Sequence, residues 1–342
     1  MADAYVFDRD RLRKEVSRLN GTGVLLIGDV MLDEYLEGDA ERISPEAPIP
    51  IVKVANSRLL IGGAGNVARN IVSLGGKAHL IGVCGCDAKG ELLHSLLHAD
   101  GIKADLSSLH NRPTTLKTRV IARNQQMLRI DHEETAPLSS KETLLLLDAV
   151  KKVIDSYSVL IISDYGKGVV SQELMDGVLR LRSESHSKPK ILVDPKTPNF
   201  PLYHDVYILT PNTKETSEGA GLPARTQDEI LAAGKSIFRK LNCDHLLTTL
   251  GANGMALFLS PDTVWHIPTA AQKVYDVTGA GDTVMATLAL CQATGLDLLD
   301  SCVLANYAAG KVVADVGAST VSNEILQSIL ATADDPGIRH WK

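Results

Sequence analysis

Residues 158–196 read SVLIISDYGKGVVSQELMDGVLRLRSESHSKPKILVDPK. A short apolar run, VLIIS, stops at the polar cluster DYGKG. A stretch with helical spacing follows, and a second apolar run, KILVD, ends in Pro-Lys. Short apolar runs without polar alternation belong to strands covered on both faces. A helix between two of them makes a parallel strand–helix–strand unit. The unit recurs in both directions. Toward the N-terminus, GVLLIGDV (23–30) and KAHLIGVCG (77–85) predict strands. GNVARNIVSLG (65–75) predicts a helix stopped by Gly75, and AKGELLHSLLHADG (88–101) one closed by Gly101. Toward the C-terminus, DVYILTPN (205–212), DHLLTTLGANG (244–254) and GMALFLS (254–260) predict strands. TQDEILAAGKSIFRKL (226–241) predicts a helix with Thr226 as N-cap, and further helices are expected over 281–294 and 298–313. The rhythm implies an α/β fold with a mostly parallel sheet between helices.

Two segments break it. Residues 34–60 and 114–134 show period-two alternation and no helical stripe, which predicts strands of a small separate sheet. Inserted in a single domain over residues 1–342, they suggest a lid or dimerisation flap. No linker, low-complexity tract or repeat interrupts the chain.

The net charge of −6 argues against nucleic-acid and membrane-surface partners, which favour a basic face. The N-terminal MADAYVFDRDRLRKEV lacks an apolar signal core, and no run approaches a membrane span. Five cysteines, mostly in apolar runs, predict buried reduced thiols and a cytoplasmic protein. Cys84 and Cys86 are expected on one face of their strand, with no second pair to complete a zinc site.

Ligands of open α/β sheets gather at the carboxyl ends of the strands. Polar residues collect at five such ends: Asp29 and Asp33, Asp164 and Lys167, Asp194 and Lys196, Asn212 and Glu215, Thr248 and Gly251. That concentration predicts a binding rim.

VYDVTGAGDTVMATLAL (274–290) places Gly279, Ala280 and Gly281 before a carboxylate at a helix start. Unpaired N–H groups there face an approaching anion, and glycines remove obstructing side chains. The segment can form an anion hole for a phosphoryl group, with Asp282 kept ionised by the helix dipole and placed to accept a hydroxyl proton. The same residues also fit a tight turn with Asp282 as a cap.

GGAGNVARNIVSLGG (62–76) has two readings. Gly63 to Ala68 fits a G-x-G-x-x-A dinucleotide fingerprint with Asp87 about 20 residues on. Alternatively, Gly62, Gly63 and Asn66 let a small polyol approach the backbone. Nothing matches a Walker P-loop, so a phosphoryl-transfer enzyme here binds nucleotide differently. TPNTKE (210–215) offers Asn212 and Glu215 either to hydrated Mg²⁺ or as a helix cap with a first-turn acid. His94 and His98 sit four apart but opposite the leucines, which predicts a solvated face rather than a metal pair. Arg119, Ile121 and Arg123 alternate onto one face, either a solvated edge or a lid touching an anionic substrate.

Together, DVTGAGDTV (276–284), GGAGNVARNIVSLGG and PNTKE resemble, in order and spacing, the ribokinase-like or PfkB carbohydrate kinases along nearly the whole chain. The resemblance implies a ribokinase-like three-layer α/β/α sandwich with a β lid, ATP as donor, and Mg²⁺. It implies Asp282 as base, Gly279 to Gly281 as anion hole, Asn212 and Glu215 organising Mg²⁺ and phosphate, and Asp29 and Asp33 on sugar hydroxyls. Lys196, Thr213, Lys214, Thr248, Gly251, Gly254 and Asn306 become candidates for the ATP site. Asp276 and Thr278, with the Gly317 loop opposite, become candidates for a monovalent cation such as K⁺.

Within that family, GDVMLDEY, RISPEAPIPIVKV, TRVIARNQQMLRID, SDYGKG and DPK look like the branch acting on D-glycero-β-D-manno-heptose 7-phosphate at its anomeric hydroxyl. That branch serves the ADP-heptose route to the lipopolysaccharide core. Many of its members are fused to a nucleotidyltransferase. The sequence holds no H-x-G-H signature, so the resemblance extends to the kinase alone. Asp29, Asp33 and Asp164 then suit the sugar hydroxyls, and Lys167, Arg119 and Arg123 its phosphate. Edge strands in the lid suggest a homodimer. Competing readings are another sugar kinase, an NAD-dependent dehydrogenase built on Gly63 to Ala68, and a non-catalytic sugar-phosphate sensor.

Overall fold

The computed structural model describes residues 5–123, 125–271, 273–315 and 319–342. The chain runs α1 (Arg9–Arg18), β1 (Gly23–Gly28), β2 (Val30–Ile43), β3 (Pro50–Gly63), α2 (Ala64–Ser73), β4 (Lys77–Gly85), α3 (Ala88–Ala99), β5 (Lys103–Leu109), β6 (Leu116–Ala122), β7 (Gln125–His132) and α4 (Ser140–Val153). It continues as β8 (Val159–Ser163), α5 (Gln172–Glu184), β9 (Lys190–Asp194), β10 (Ile208–Leu209), α6 (Thr213–Ala220), α7 (Gln227–Leu241), β11 (His245–Thr249), β12 (Met255–Ser260), β13 (Thr263–Ile267), α8 (Ala280–Ala293), α9 (Leu298–Val312), α10 (Asn323–Thr332) and β14 (Arg339–His340).

Ten strands form one sheet in the order β14-β13-β12-β11-β10-β9-β8-β1-β4-β5. Neighbours are parallel from β5 to β11, and β12 to β14 extend the sheet antiparallel. Alternate residues of β1 feed two apolar layers. Val24 and Leu26 pack with Val67, Ile71, Met285, Leu288 and Val303 of α2, α8 and α9. Leu25 and Ile27 pack with Leu146, Val150, Leu174, Val178 and Ile237 of α4, α5 and α7. Burying each such side chain contributes roughly 1.5–3 kcal/mol. That burial holds α2, which has no side-chain cap and carries Gly65 in its first turn. By contrast, α7 begins at its expected N-cap, Thr226, and Glu229 completes a capping box there.

The second sheet has the order β3-β2-β6-β7. Its first two strands start earlier and end later than the expected 34–60, while β6 and β7 fall within 114–134: β2 leaves the core directly after Asp29, and β3 runs without a break into α2. Val30 reads as the end of a core strand but, with Met31 and Leu32, forms the root of the lid. Along one rung, Asp33 pairs with Leu60 and Lys117, and Lys117 with Asp131. The next rung on the same face aligns Arg58, Tyr35, Arg119 and Arg129. The lid is thereby rooted beside the carboxyl ends of the core strands.

Several local expectations need correction. DVYILTPN forms only the two-residue strand Ile208–Leu209. Cys84 is buried but Cys86 is exposed, because β4 ends at Gly85 between them. Arg123 does not continue the face of Arg119. A bulge between Val120 and Ile121 shifts the register, and Arg123 lies beyond β6 with φ 50°. Among the described residues, no helix is long and apolar enough to cross a membrane.

Candidate active site

α8 is buried around its whole circumference from Thr283 to Gln292, a central helix rather than an amphipathic surface one. Its N-cap is Gly279 at φ 80°, a left-handed conformation that favours glycine, and no side chain caps the helix. A Cβ on Gly281 would meet nothing within 4 Å, so the approach to this positive helix end is open.

Asp282 sits in the first turn. Its Oδ2 accepts a hydrogen bond from Asn66 Nδ2 at 2.5 Å, and its Oδ1 accepts one from Tyr165 Oη at 2.5 Å. Burial raises the pKa of this carboxyl above the ordinary range, while the two donors pull the other way. The helix dipole alone therefore does not decide its ionisation. A raised carboxyl pKa suits a group that must accept a proton. Asn66 is buried, and its Oδ1 has no hydrogen-bond partner among the described residues.

The rim carboxylates divide into two kinds. Asp29 is 1% exposed, and its oxygens accept the backbone N–H groups of Tyr165, Lys167 and Val169 at 2.8, 3.0 and 3.1 Å. Asp164 is likewise buried and accepts from the Gly166 N–H, Asn199 Nδ2 and Tyr203 Oη. Both were expected to hold sugar hydroxyls. Instead they turn inward and shape the DYGKG loop. Asp33 and Asp194 stay partly exposed. Burial, then the charges of Asp282, Glu215 and Asp164, push the Asp194 carboxyl well above its usual range. Asp194 earned no role from the sequence beyond its place at a strand end.

Gly62 and Gly63 answer to the protein's own packing rather than to a polyol. A Cβ on Gly62 would stand 2.2 Å from Asp33 Oδ2; one on Gly63, at φ 60°, would stand 2.4 Å from the Asp29 carbonyl. The G-x-G-x-x-A run follows a lid strand instead of a core strand, and Asp87 caps α3 through the Gly90 N–H. Neither feature belongs to a dinucleotide site.

On the lid side, Arg119 pairs with Asp33 at 2.5 Å and lies over the Tyr35 ring. Lys167 pairs with Glu133 at 2.6 Å. Lys117 is half-buried, and burial followed by the Lys167 charge lowers its pKa. The sequence reading missed Lys117, although it precedes Arg119 by two in the same alternation.

Asn212 and Glu215 form a complete capping box at α6: the Glu215 N–H donates to Asn212 Oδ1, and the Asn212 N–H to Glu215 Oε2. Glu215 Oε1 faces Lys196 Nζ at 4.0 Å. Thr213 donates to the Thr249 carbonyl, and Lys214 is exposed beside Glu218. Thr248 is fully buried against Thr216, so the strand's alternation presents Thr249 to the cleft in its place. A cavity of about 420 Å³ lies beside the anion-hole segment, lined by Thr249, Gly251, Gly254, Val277, Gly281 and Asn306 among others. Gly254 is demanded by the wall itself, since a Cβ would stand 2.0 Å from the Ile267 carbonyl. Asn306 donates to the Pro268 carbonyl and holds the adjoining loop. A larger cavity of about 670 Å³ lies next to it, toward Lys311 and Asp334, and does not reach Asp282.

Asp276 Oδ1 accepts the Thr278 N–H at 2.9 Å. Gly317, expected opposite, lies outside the described residues. His98 is exposed and His94 touches Cys84 Sγ at 3.7 Å. Among the described residues no cluster of three or more His, Cys, Asp or Glu could hold a metal ion directly.

A family model described as pfkB family carbohydrate kinase matches residues 22–325. The bifunctional protein HldE of Rhodospirillum rubrum is 44% identical over 312 residues, covering 91% of this chain and 62% of that protein. HldE of Proteus mirabilis is 40% identical over 318 residues, with 93% and 66% covered. The chain thus spans about two thirds of the length of these curated relatives. Among solved structures, Arabidopsis thaliana ribokinase complexed with ribose and ATP superposes with a TM-score of 0.73 at 21% identity, covering 92% of this chain and 100% of that one. Phosphofructokinase-2 from Escherichia coli in complex with potassium gives 0.75 at 21% identity, with 90% and 97% covered. These likenesses establish the ribokinase-like sandwich with its β lid. With the family match running through both the Asn66 and the Asp282 segments, the chain belongs to the pfkB family of carbohydrate kinases and is an ATP-dependent carbohydrate kinase.

Proposed function

We propose that this kinase transfers the γ-phosphoryl group of ATP to the anomeric hydroxyl of D-glycero-β-D-manno-heptose 7-phosphate, giving the 1,7-bisphosphate in ADP-heptose synthesis for the lipopolysaccharide core. The observation that carries the chemistry is Asp282 at the uncapped start of α8, its pKa raised by burial. There a carboxylate can accept the hydroxyl proton while the N–H groups of Gly279 and Gly281 receive the charge of the transferring phosphoryl group; the Ala280 N–H between them donates to the Val277 carbonyl. The quoted heptose-branch motifs select the sugar, and the 44% identity to HldE supports that branch.

The lid cations Arg119, Lys167 and Lys117 suit the sugar's distal phosphate, and Asp33 with Asn66 its hydroxyls. Adenosine is assigned to the 420 Å³ cavity. Burial and then repulsion from neighbouring carboxylates raise the Asp194 carboxyl, and burial raises Glu215, so a divalent cation nearby relieves an existing cost. These residues fit a hydrated Mg²⁺, which when bound neutralises phosphate charge. Asp276 and Thr278 remain the residues for K⁺. Leu128 and Ile130 expose 55% and 52% on the outer lid face, which favours a homodimer through the lid, in a cytoplasmic enzyme.

Coupled ADP release with heptose 7-phosphate, fructose 6-phosphate, ribose and adenosine tests the reading. The heptose should give the highest kcat/KM. A higher value with another sugar moves the enzyme to that substrate and leaves the kinase chemistry intact.

A further inference from the structure

We propose that Tyr165 is a positioning residue for the general base: its hydroxyl, anchored through its loop to the buried Asp29, orients Asp282 and favours its proton-accepting form. The inference rests on the reading of Asp282 as base and goes beyond it.

The anchoring is geometric. Backbone N–H groups of residues 165, 167 and 169 converge on one carboxylate. They converge because Gly166 at φ 67° and Gly168 at φ 85° reverse the chain between them. A Cβ on Gly168 would stand 2.1 Å from the Ala136 carbonyl, so the loop packs here only with a glycine. Tyr165 leaves it with its Oη 2.5 Å from Asp282 Oδ1.

The direction of that hydrogen bond is fixed. Burial and the Asp282 charge hold the phenol far above its usual pKa, so Tyr165 keeps its proton and donates it. Each carboxylate oxygen accepts two hydrogen bonds, so Tyr165 and Asn66 leave a second lone pair on each oxygen for substrate. In transfer the sugar O–H bond breaks and its proton passes to Asp282. The sugar oxygen bonds to the γ-phosphorus as the bond to ADP breaks. Tyr165 retains its proton throughout.

Other charges face the same carboxyl. Asp33 from β2 disfavours its ionised form, and the Asp282 charge in turn, with those of Glu215 and Asp164, raises Asp194 at the end of β9 against Lys196. Tyr165 and Asn66 are the donors that oppose Asp33. Removing the Tyr165 hydroxyl should therefore make Asp282 harder to ionise.

The test compares pH–rate profiles of kcat/KM for the full chain, with MgATP and the panel sugar of highest turnover. The variants are Tyr165→Phe, Asp282→Asn and, as a remote control, Tyr157→Phe. Tyr157 contacts His79 at the amino ends of the strands. In Tyr165→Phe the acidic limb should move up by about one pH unit, with a plateau lowered about tenfold or less. Tyr157→Phe should leave the limb in place. An inactive Asp282→Asn with an unmoved limb in Tyr165→Phe overturns this inference alone. Near-wild-type turnover in Asp282→Asn overturns the base assignment and this inference with it.

Discussion

Asn66 Nδ2 and Asp282 Oδ2 lie 2.5 Å apart, although 216 residues separate them in sequence. The contact joins the first turn of α2, fed by a lid strand, to the first turn of α8. Lid and anion hole therefore share one hydrogen bond at the reacting centre. Asn66→Ala should lower kcat by about 10–100-fold, since a hydrogen bond to a charged group is worth about 1.5–3 kcal/mol. Steady-state kinetics checks this, and thermal melting should show little change, because α2 is held by its apolar burial.

Lys117 tests the distal-phosphate assignment. It is half-buried beside Lys167, and it pairs across strands with Asp33 and Asp131. Lys117→Met should raise KM for heptose 7-phosphate about tenfold or more while KM for ATP stays within about twofold. An equal effect on both would place Lys117 outside the sugar-phosphate site.

Asp29 gives a prediction in stability. Burial, then the Asp164 charge, pushes its pKa up to about 6 from 3.8, against three N–H donors. The folded chain thus binds this proton more tightly than the unfolded chain does. The contribution is full below about pH 4 and is lost as pH rises through 6, on the order of 3 kcal/mol. In urea unfolding, the stability of wild type relative to Asp29→Asn should rise as pH falls from 7 to 5.

The sequence announced elements wherever a local signal was strong. Thr226 and Glu229 mark the start of α7, and the run 77–85 is a strand end to end. A similar signal was overlooked at α4, where Ser139 and Glu142 form a capping box before four leucines. Other features have no local signature. A carboxylate after a strand looks the same whether it faces a ligand or three backbone N–H groups, so Asp29 and Asp194 were indistinguishable in kind. Thr248 and Thr249 differ by one step of strand alternation, which decides between core and cleft. Tyr165 and Asp282 meet across 117 residues, a contact that only the fold creates.

The central claim is that Asp282 accepts the hydroxyl proton during phosphoryl transfer. Asp282→Asn keeps the side-chain shape and removes the base, so the variant should fold normally. Coupled ADP release with heptose 7-phosphate and MgATP measures it most directly. A kcat reduced by about 10²–10⁴-fold with little change in melting temperature is the predicted result. A kcat within a few-fold of wild type, in a variant shown to be folded, would contradict the account.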